Sequence, residues 1–461
     1  MKILITGATG FIGKSLCKEL AWAGHEIIAL TRSPNSSRYK IPAPHRSIEW
    51  NEQCQNLSTE NLELIKDVGA VIHLAGESIA QERWTPEYQQ KIITSRVKGI
   101  ESIISLLKSS GHPAPKTFIS ASAVGYYGDQ GDQILTEDSP GGSDFLAQVC
   151  QKWESALFDA DLPQTRKVAL RFGIVLGRGG GALEKMIPPF LSGSGATLGS
   201  GQQWVSWIHL DDLLQVIISS LGDERYSGPI NTCTPQNVTQ RELTHTLGEV
   251  LNRWSFLKAP APVLKMVLGG FANTLLSSQR VYPKKLKSLG FEFKHGELKT
   301  ALTHLLNKSY ALGHSEFLSS CWIPKPIEEV FAFFSQAENL EKITPPWLNF
   351  KILKQSTPSI EQGTLIDYQL KLHGLPIRWR TEISNWNPPF EFTDTQLKGP
   401  YHLWCHTHSF SSLAGGTLME DCVLYELPLG ALGRITAGSF VIKDVHAIFD
   451  YRQKKIFELL T

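Results

Sequence analysis

The amino terminus carries a glycine-rich turn between a strand pattern and a helix pattern. The apolar run KILIT is followed by GATGFIG, and the helix pattern GKSLCKEL begins at the end of that turn. Glycine lets the backbone approach a pyrophosphate, and the helix start offers free N–H groups and a positive dipole end. A glycine turn without a ligand is the alternative, but the strand–turn–helix order favours a dinucleotide site. The residues predicted to bind the cofactor here are Gly7, Thr9, Gly10, Phe11, Ile12 and Gly13.

The end of the next strand pattern, EIIALTR, indicates which dinucleotide is bound. An NAD site wants a carboxylate there for the ribose hydroxyls, whereas an NADP site wants a cation for the 2′-phosphate. The chain has Thr31 and Arg32 at this position, with Arg38 nearby and no carboxylate, so NADP is favoured. The alternative is that Arg32 stacks on adenine or faces solvent. Small residues at the end of a later strand are predicted to lie against the nicotinamide side, in the stretch His73, Leu74, Ala75 and Gly76.

Strand patterns and helix patterns alternate from residue 1 to about residue 221. The runs KILITG, EIIALTR, AVIHLAG, KTFISAS and KVALRFGIVLG are typical of buried parallel strands, and amphipathic helical segments separate them. This order predicts a doubly wound, Rossmann-type α/β fold with a parallel sheet. Residues from about 227 to 306 are predicted as a small cap, with helices at 240–251 and 263–276.

The pattern changes near NKSYALGHSE. A strand, a helix and a series of strand candidates rich in Trp, Tyr, Thr and Ile follow, and the chain closes with a long amphipathic helix pattern. We expect an antiparallel sheet that grips this helix, an α+β helix-grip domain. The predicted domains are therefore 1–306, which binds NADP and includes the cap, and 315–461.

The composition excludes several classes of partner. With a net charge of +1 over 461 residues, the chain has no basic surface on average for nucleic acid. The most lipid-like run, APAPVLKMVLGGFANTLL, contains prolines, a lysine and an asparagine, so no membrane span is expected. The seven cysteines are scattered without a Cys-x-x-Cys pair, which favours a reducing, cytoplasmic location over a disulfide framework.

Several stretches together carry a family resemblance. HLAGESIAQERW, SRVKG, SASAVGYYG, FLAQVCQKWE, LRFGIVLG, LGSGQQWVSWIHLDD and RVYPKKLKSLGFEF accompany the amino-terminal GATGFIG. From residue 1 to about 306 the chain resembles extended or atypical short-chain dehydrogenases/reductases, and more closely their epimerase-like oxidoreductase subgroup. The carboxy-terminal part resembles the START/Bet v 1-like (SRPBCC) superfamily by pattern. The first resemblance implies an NADP-dependent oxidoreductase, and the second implies a hydrophobic ligand.

The resemblance implies a serine that polarises a carbonyl, a tyrosine that transfers the proton and a lysine four residues after it. Ser122 matches the serine, with a structural hydroxyl at a strand end as the alternative. The Tyr-x-x-x-Lys pair should fall within residues 145–151, where the chain reads FLAQVCQ. Because neither residue is present, the usual acid–base machinery is missing.

Three substitutes for the proton donor remain open. Tyr126 or Tyr127 follows the serine strand directly, Cys150 carries a thiol, and Glu77 follows HLAG. A lone helical cysteine is usually inert core, and a carboxyl acid would need burial to raise its pKa. A tyrosine of the pair is therefore favoured.

Charged residues near these stretches are assigned more simply. Arg96 and Arg171 are each predicted either to clamp an anionic substrate or to form a surface ion pair. Trp153 and Glu154 are predicted to be packing and helix-surface residues.

The stretch DTQLKGPYHLWCHTHSF has the densest aromatic and histidine content of the carboxy-terminal half. If residues 403–410 form a strand, His406 and His408 share one face. Asp394, Glu420 or Asp421 could complete a metal site, but without further ligands at diagnostic spacing no metal is predicted. An amphipathic pocket is favoured over a filled core, with walls from Trp379, Trp386, Trp404 and Phe449.

Three functions remain open at this stage. The first is an NADP(H)-dependent oxidoreductase or epimerase-like enzyme that acts on a small carbonyl or hydroxyl substrate. The second is a non-catalytic NADP-binding sensor or scaffold, and the third is a carrier of a hydrophobic ligand that the nucleotide regulates. Fold alone does not choose among them, and the oligomeric state is left open.

Overall fold

The chain folds into two compact units. The structure, a computed structural model, describes residues 1–51, 58–306, 310 and 312–461, with the backbone alone at 431 and 439. The first unit comprises Met1–Pro34, His45–Phe190 and Ser194–Leu305, and the second comprises Asn35–Pro44, Leu191–Gly193 and Leu306–Thr461. None of the described helices is long and apolar enough to span a membrane.

A seven-stranded parallel sheet organises the first unit, in the spatial order β12-β7-β5-β4-β1-β2-β3. The remaining strands of this unit form two-stranded pairs around it. In chain order the strands are β1 Lys2–Thr6, β2 Glu26–Thr31, β3 Arg46–Glu49, β4 Val68–His73, β5 Thr117–Ala123, β6 Ile134–Leu135, β7 Arg166–Phe172, β8 Ile174–Leu176, β9 Ala196–Leu198, β10 Trp204–Val205, β11 Trp207–His209, β12 Gly228–Thr232, β13 Val238–Thr239, β14 Leu257–Ala259 and β15 Arg280–Val281.

Helices accompany the strands of this sheet, as expected for a doubly wound fold. One core cluster joins apolar residues of β1, β2 and β4 to the apolar stripe of α4, which supplies Ile100, Ile103 and Leu106. Up to residue 305 the helices in chain order are α1 Phe11–Trp22, α2 Pro34–Lys40, α3 Thr59–Leu64, α4 Pro86–Ser109, α5 Phe145–Phe158, α6 Gly181–Leu191, α7 Leu210–Gly222, α8 Gln240–Val250, α9 Ala261–Leu268, α10 Phe271–Leu276, α11 Lys284–Ser288 and α12 Leu298–Leu305. Of these, α2 belongs to the second unit from Asn35 onward.

The Rossmann-type fold predicted from the sequence is confirmed, with two local differences. The run KVALRFGIVLG forms two strands, because β7 pairs with β12 in the large sheet whereas β8, after Gly173, pairs with β11. The helix predicted over 263–276 is two helices, because Gly269 takes a φ of +60° that ends α9.

The second unit contains a seven-stranded antiparallel sheet and a long terminal helix. The sheet order is β16-β22-β21-β20-β19-β18-β17, and Val445, Phe449 and Ile456 of the helix are buried in core clusters with strand residues. The α+β class expected for this half is thus confirmed, whereas its kinship to the START/Bet v 1-like superfamily stays a prediction. The elements are β16 Ser315–Ile323, α13 Ile327–Phe334, α14 Ala337–Ile343, β17 Lys351–Gln355, β18 Leu365–Leu372, β19 Leu375–Asn387, β20 Glu391–Lys398, β21 Leu403–Leu413, β22 Gly416–Glu426 and α15 Ala431–Leu460.

Candidate functional site: a nucleotide crevice and a separate cavity

The order of the parallel sheet creates a crevice between β1 and β4. From β1 the chain builds outward through β2 and β3 on one side, and from β4 through β5, β7 and β12 on the other. Ligands of open α/β sheets bind outside the carboxyl ends of the strands at such a switch point. Three of the predicted site stretches lie at the carboxyl ends of β1, β2 and β4, and Ser122 is the penultimate residue of β5. They therefore share one edge of the sheet.

The glycine turn after β1 has no room for side chains. Gly7 has a φ of +73°, and a Cβ there would lie 2.8 Å from the carbonyl carbon of Leu74. A Cβ at Gly13 would overlap the carbonyl oxygen of Gly7. Gly10 caps α1 without a side-chain hydrogen bond, and Phe11 opens the helix. The turn thus offers bare backbone and a helix start, which fits a pyrophosphate.

The end of β2 has the polar character expected from the sequence. Thr31 is partly buried and accepts a hydrogen bond from the N–H of Ser33, while Arg32 and Arg38 are exposed. The structure adds a residue that the sequence analysis missed, because Glu49 at the end of β3 is the register partner of Thr31. Glu49 is exposed, so a carboxylate from the neighbouring strand lies at the same sheet edge as Arg32.

The stretch after β4 contributes backbone to the crevice and a buried side chain to the core. His73 is fully buried, with its Nδ1 2.7 Å from Thr6 Oγ1, which also accepts the N–H of Ala75. Burial, aided by the Arg96 charge, lowers the pKa of His73 to about 3, so the imidazole is neutral. Of the predicted stretch, the backbone of residues 74–76 is therefore the part free to approach a cofactor.

Ser122 belongs to a buried ion-pair network. Its Oγ donates to Glu154 Oε1 at 2.7 Å, and Arg171 grips the same carboxylate through Nε and Nη2 at 2.8 and 2.7 Å. Glu154 is only 6% exposed and Arg171 only 3%, so the predictions of a helix-surface glutamate and a surface or substrate-clamping arginine are wrong. The two residues come together through the register of the sheet, in which Ser122 on β5 is the partner of Arg171 on β7.

The two tyrosines of the pair have different surroundings. Tyr127 is fully buried, and its hydroxyl accepts from Arg171 Nη1 at 2.8 Å and donates to Asn231 Oδ1 at 2.6 Å. Burial raises the pKa of Tyr127. Tyr126 is partly buried, its ring centroid lies 3.5 Å from the Arg171 guanidinium carbon, and its hydroxyl has no hydrogen-bond partner among the described residues. Tyr126 is thus the member of the pair with a free hydroxyl.

The other two substitutes for the proton donor are in less suitable places. Cys150 is buried, and its burial, followed by the Glu154 charge, raises the pKa of its thiol to about 12. Glu77 Oε1 lies 3.5 Å from Lys91 Nζ, so this carboxylate is paired with a lysine. Arg96 donates to the carbonyls of Glu77 and Ile92. Cys150 therefore stays a protonated core thiol.

The second unit encloses a cavity of about 170 Å³. Its walls are mainly apolar and aromatic, which fits the predicted amphipathic pocket better than a filled core. Of the four predicted wall residues, Trp379, Trp404 and Phe449 line the cavity, whereas Trp386 packs in the adjoining clusters. The polar residues on its lining include Asp394, His406, His408 and Arg452.

The family models match the first unit. The NAD dependent epimerase/dehydratase family matches residues 3–230, and residues 259–305 match a domain of unknown function, DUF1731. The second match falls on the predicted cap.

Related proteins cover about the same part of the chain. The Arabidopsis thaliana protein "Epimerase family protein SDR39U1 homolog, chloroplastic" is 40% identical over 314 residues, which cover 66% of this chain and 87% of that protein. The mouse epimerase family protein SDR39U1 is 36% identical over 308 residues, with 66% of this chain and 98% of that protein covered.

Solved structures agree. Human epimerase family protein SDR39U1 (isoform 2), crystallised with NADPH, is 32% identical with a TM-score of 0.58, covering 66% of this chain and 99% of that one. The Thermus thermophilus UDP-glucose 4-epimerase in complex with NAD shares the fold, at 18% identity and a TM-score of 0.53, with 68% of this chain and 99% of that chain covered. Through its first two thirds the chain belongs to the NAD(P)-binding epimerase/dehydratase family, among the SDR39U1-like epimerase family proteins.

Proposed function

We propose that the first unit is an NADP(H)-dependent oxidoreductase or epimerase-like enzyme that acts on a small carbonyl or hydroxyl substrate. The observation that carries this proposal is Tyr126, whose hydroxyl is free among the described residues and whose ring lies against the Arg171 guanidinium, in the short 3₁₀ helix that follows β5. NADP(H), when bound, supplies or accepts the hydride. The glycine turn after β1 would hold its pyrophosphate, and residues 74–76 would lie near its nicotinamide end.

The chain's own residues supply the proton. In the reducing direction the Tyr126 hydroxyl protonates the carbonyl oxygen as that oxygen gains negative charge, which leaves a phenolate. The Arg171 cation on the ring face stabilises that phenolate, the task that the missing lysine would perform. Ser122 and Tyr127, whose hydroxyls are bonded within the network, would act as positioning residues that hold Arg171 in place through Glu154 and directly.

The proton-donor assignment is tested by NADPH oxidation at 340 nm with a panel of carbonyl substrates. We expect Tyr126→Phe to lower kcat by about 10²-fold or more, the usual contribution of a general acid, with the Kd for NADPH unchanged. Tyr451→Phe, a partly buried tyrosine of α15, is the matched control and should be silent. Activity of Tyr126→Phe equal to that of the wild type would contradict the assignment.

The choice of NADP over NAD rests on the exposed Arg32. Arg32→Ala should weaken NADPH binding by about 10-fold, because it removes a charge-assisted bond to the 2′-phosphate, and leave NADH binding unchanged. Arg225→Ala, at an exposed pair with Asp223, is the control. Equal loss for both nucleotides would indicate that Arg32 stacks on adenine instead, and a gain in NADPH affinity on Glu49→Gln would support the phosphate assignment.

A second candidate is a non-catalytic NADP-binding sensor or scaffold. The bonding of the Ser122 and Tyr127 hydroxyls inside the buried network favours it, since neither is free to meet a substrate. Tight NADPH binding without hydride transfer to any member of the panel would decide for this candidate.

We further propose that residues 1–306 and 315–461 act as two functional domains, the first for the nucleotide and the second for a hydrophobic ligand. The support for the second is the cavity with its aromatic walls. The full chain, purified under native conditions and examined by native mass spectrometry, should carry a small apolar molecule. An empty cavity in every preparation would count against the ligand role.

A further inference from the structure

Three side chains of the second unit converge on the cavity. Asp394 comes from β20, and His406 and His408 come from one face of β21. Asp394 Oδ2 lies 3.5 Å from His406 Nδ1 and 3.6 Å from His408 Nε2. One ligand atom of each residue lies within 4.8 Å of the other two. All three residues line the cavity, so the centre of this triangle borders the cavity.

The spacing of these atoms identifies what fits between them. At 3.5 and 3.6 Å the nitrogen–oxygen distances are longer than a hydrogen bond, which ends at about 3.2 Å. Nitrogen and oxygen ligands that share a metal at about 2.0–2.2 Å are separated by about 3.0–3.6 Å. The distance is therefore too long for a direct hydrogen bond and matches the separation between two ligand atoms of one metal ion.

A fourth residue, an aspartate, lies on the far side of both imidazoles. Asp421 on β22 is buried, and its Oδ1 accepts a hydrogen bond from His406 Nε2 at 3.0 Å. The same oxygen lies 2.8 Å from His408 Nδ1, off the in-line direction of a hydrogen bond. A carboxylate behind a histidine fixes the tautomer and leaves the other nitrogen's lone pair for a metal. In both imidazoles the nitrogen left for a metal is the one that faces Asp394, which is Nδ1 of His406 and Nε2 of His408.

We propose that Asp394, His406 and His408 bind a divalent transition-metal ion, with Asp421 as the carboxylate that orients the imidazoles. Two histidines and one carboxylate suit Zn²⁺, Co²⁺ or Fe²⁺ and leave at least one coordination position open. That position faces the cavity. The proposal concerns the second unit alone and does not depend on the nucleotide chemistry of the first.

A further observation, taken together with the metal proposal, assigns a ligand class to the cavity. Arg452 on α15 is 8% exposed and lines the cavity, and its Nε has no hydrogen-bond partner among the described residues. A buried guanidinium stays charged, so it requires an anion. With neutral histidines, Asp394, Asp421, Arg452 and a divalent metal together carry a charge of about +1. We infer that the cavity takes an apolar molecule with one carboxylate, which binds Arg452 and the open metal position.

The metal site is tested on the full chain after treatment with a chelator. Titration with Co²⁺, followed by its visible absorption, and with Zn²⁺, followed by elemental analysis after dialysis, should give one ion per chain. Asp394→Asn and His408→Gln should each weaken Co²⁺ binding by at least 10-fold, and Asp421→Asn by about 10- to 100-fold. Asp367→Asn and His402→Gln, which alter a partly exposed and an exposed residue of the same unit that do not line the cavity, are the matched controls and should bind as the wild type does.

Failure of the metal proposal has distinct signatures. A wild-type chain that retains neither ion would show that a water or a protonated His408 fills the gap instead. Each variant must give the same circular dichroism spectrum as the wild type. If Asp394→Asn does not fold, the Co²⁺ affinity of Asp421→Asn tests the site instead. A His304→Gln variant covers the other histidine cluster, in which His304 Nδ1 lies 3.2 Å from His209 Nε2. Ion binding lost in His304→Gln but kept in Asp394→Asn would overturn the assignment.

The ligand class is tested with two probes of equal ring size, 2-naphthoate and 2-naphthylmethanol, by calorimetry on the metal-loaded chain. The wild type should bind the acid at least 10-fold more tightly than the alcohol. Arg452→Met should reduce that preference by at least about 3-fold and leave the alcohol within about 2-fold, because the carboxylate keeps only its metal contact. Arg380→Met, at the surface pair with Asp367, should change neither. Equal binding of acid and alcohol by the wild type, or binding of neither, would contradict the inference.

Discussion

Two groups of buried polar side chains differ in how their atoms are paired. In the first unit the Ser122, Glu154, Arg171 and Tyr127 groups bond to one another, and the buried arginine uses Nε and both terminal nitrogens for them. In the second unit Arg452 leaves its Nε without a partner among the described residues, and Asp394 lies apart from both histidines beside a cavity.

The difference separates a structural role from a ligand role. A buried network in which every member is satisfied rigidifies the fold around it, whereas unpaired buried groups are costly unless something else pairs with them. We therefore assign the first network to holding β5, β7 and α5 in place, and the second group to binding. The hydroxyl of Tyr126, whose ring packs against Arg171, is the group beside this network that we propose as the proton donor.

The largest expected effect is that of breaking the bidentate ion pair. Arg171→Met leaves the Glu154 carboxylate buried with only Ser122 as a partner, so it should cost about 3–5 kcal/mol of the free energy of unfolding of the first unit. Hydrogen–deuterium exchange of peptides from α5 and β7 measures this loss. Arg225→Met at the exposed Asp223 pair, as a control, should cost less than about 1 kcal/mol. A loss below that value for Arg171→Met would mean that the network is not structural.

The second effect is a pH dependence that comes from His73. Its native pKa of about 3 lies below the ordinary 6.5, so as the pH falls through 6.5 the unfolded chain takes up a proton that the native state does not. The contribution of His73 to the stability of the first unit should therefore be lost between pH 6.5 and 3, and about 2 kcal/mol of it should be lost at pH 5.

Denaturant unfolding at pH 7 and pH 5 measures this effect. His73→Asn should reduce the difference between the two pH values by about 2 kcal/mol, the share expected of this histidine. His245→Asn, which alters an exposed histidine of α8, should leave the difference unchanged. An unchanged slope in His73→Asn would show that another group carries the dependence.

A smaller effect is expected at the serine. Ser122→Ala removes one hydrogen bond to Glu154 Oε1, but Arg171 Nε still donates to that oxygen, so the cost should be about 1 kcal/mol. Ser109→Ala at an exposed position of α4 is the control. A loss in kcat well beyond this stability change, with NADPH affinity intact, would mean that Ser122 contacts the substrate and is not only a positioning residue.

The smallest effect is expected at the second arginine. In the metal-free, ligand-free chain, Arg452→Met removes a desolvated charge without leaving a bonded partner behind, so the free energy of unfolding of the second unit should change by less than about 1 kcal/mol or rise. Exchange of peptides from α15 measures it. A loss as large as that of Arg171→Met would mean that Arg452 is bonded after all.

The sequence predicted most of the first unit because local signals and the sheet agree there. GATGFIG stands between a strand and a helix, and the apolar runs ending at Thr31, His73 and Ser122 each became a parallel strand. The network was missed because it depends on register. Glu154 belongs to an amphipathic helix and Arg171 to a strand, and only the pairing of β5 with β7 brings the arginine beside Ser122 and toward α5.

In the second unit the sequence predicted the alternation along the strands but not which acidic and basic residues join the two histidines. Period two placed His406 and His408 on one face of β21, as found. The third and fourth members, Asp394 and Asp421, lie on the two neighbouring strands of the sheet. Their order in the chain does not reveal which of several acidic residues sits opposite the histidines, and Arg452 comes from a helix that no spacing rule links to them.

The most direct test is the loss of local stability in Arg171→Met set against that in Arg452→Met, measured by hydrogen–deuterium exchange under identical conditions. We predict that the first variant loses at least about 3 kcal/mol more than the second, because only the first leaves a buried partner unpaired. Equal losses would contradict the division between a satisfied structural network and an open binding site.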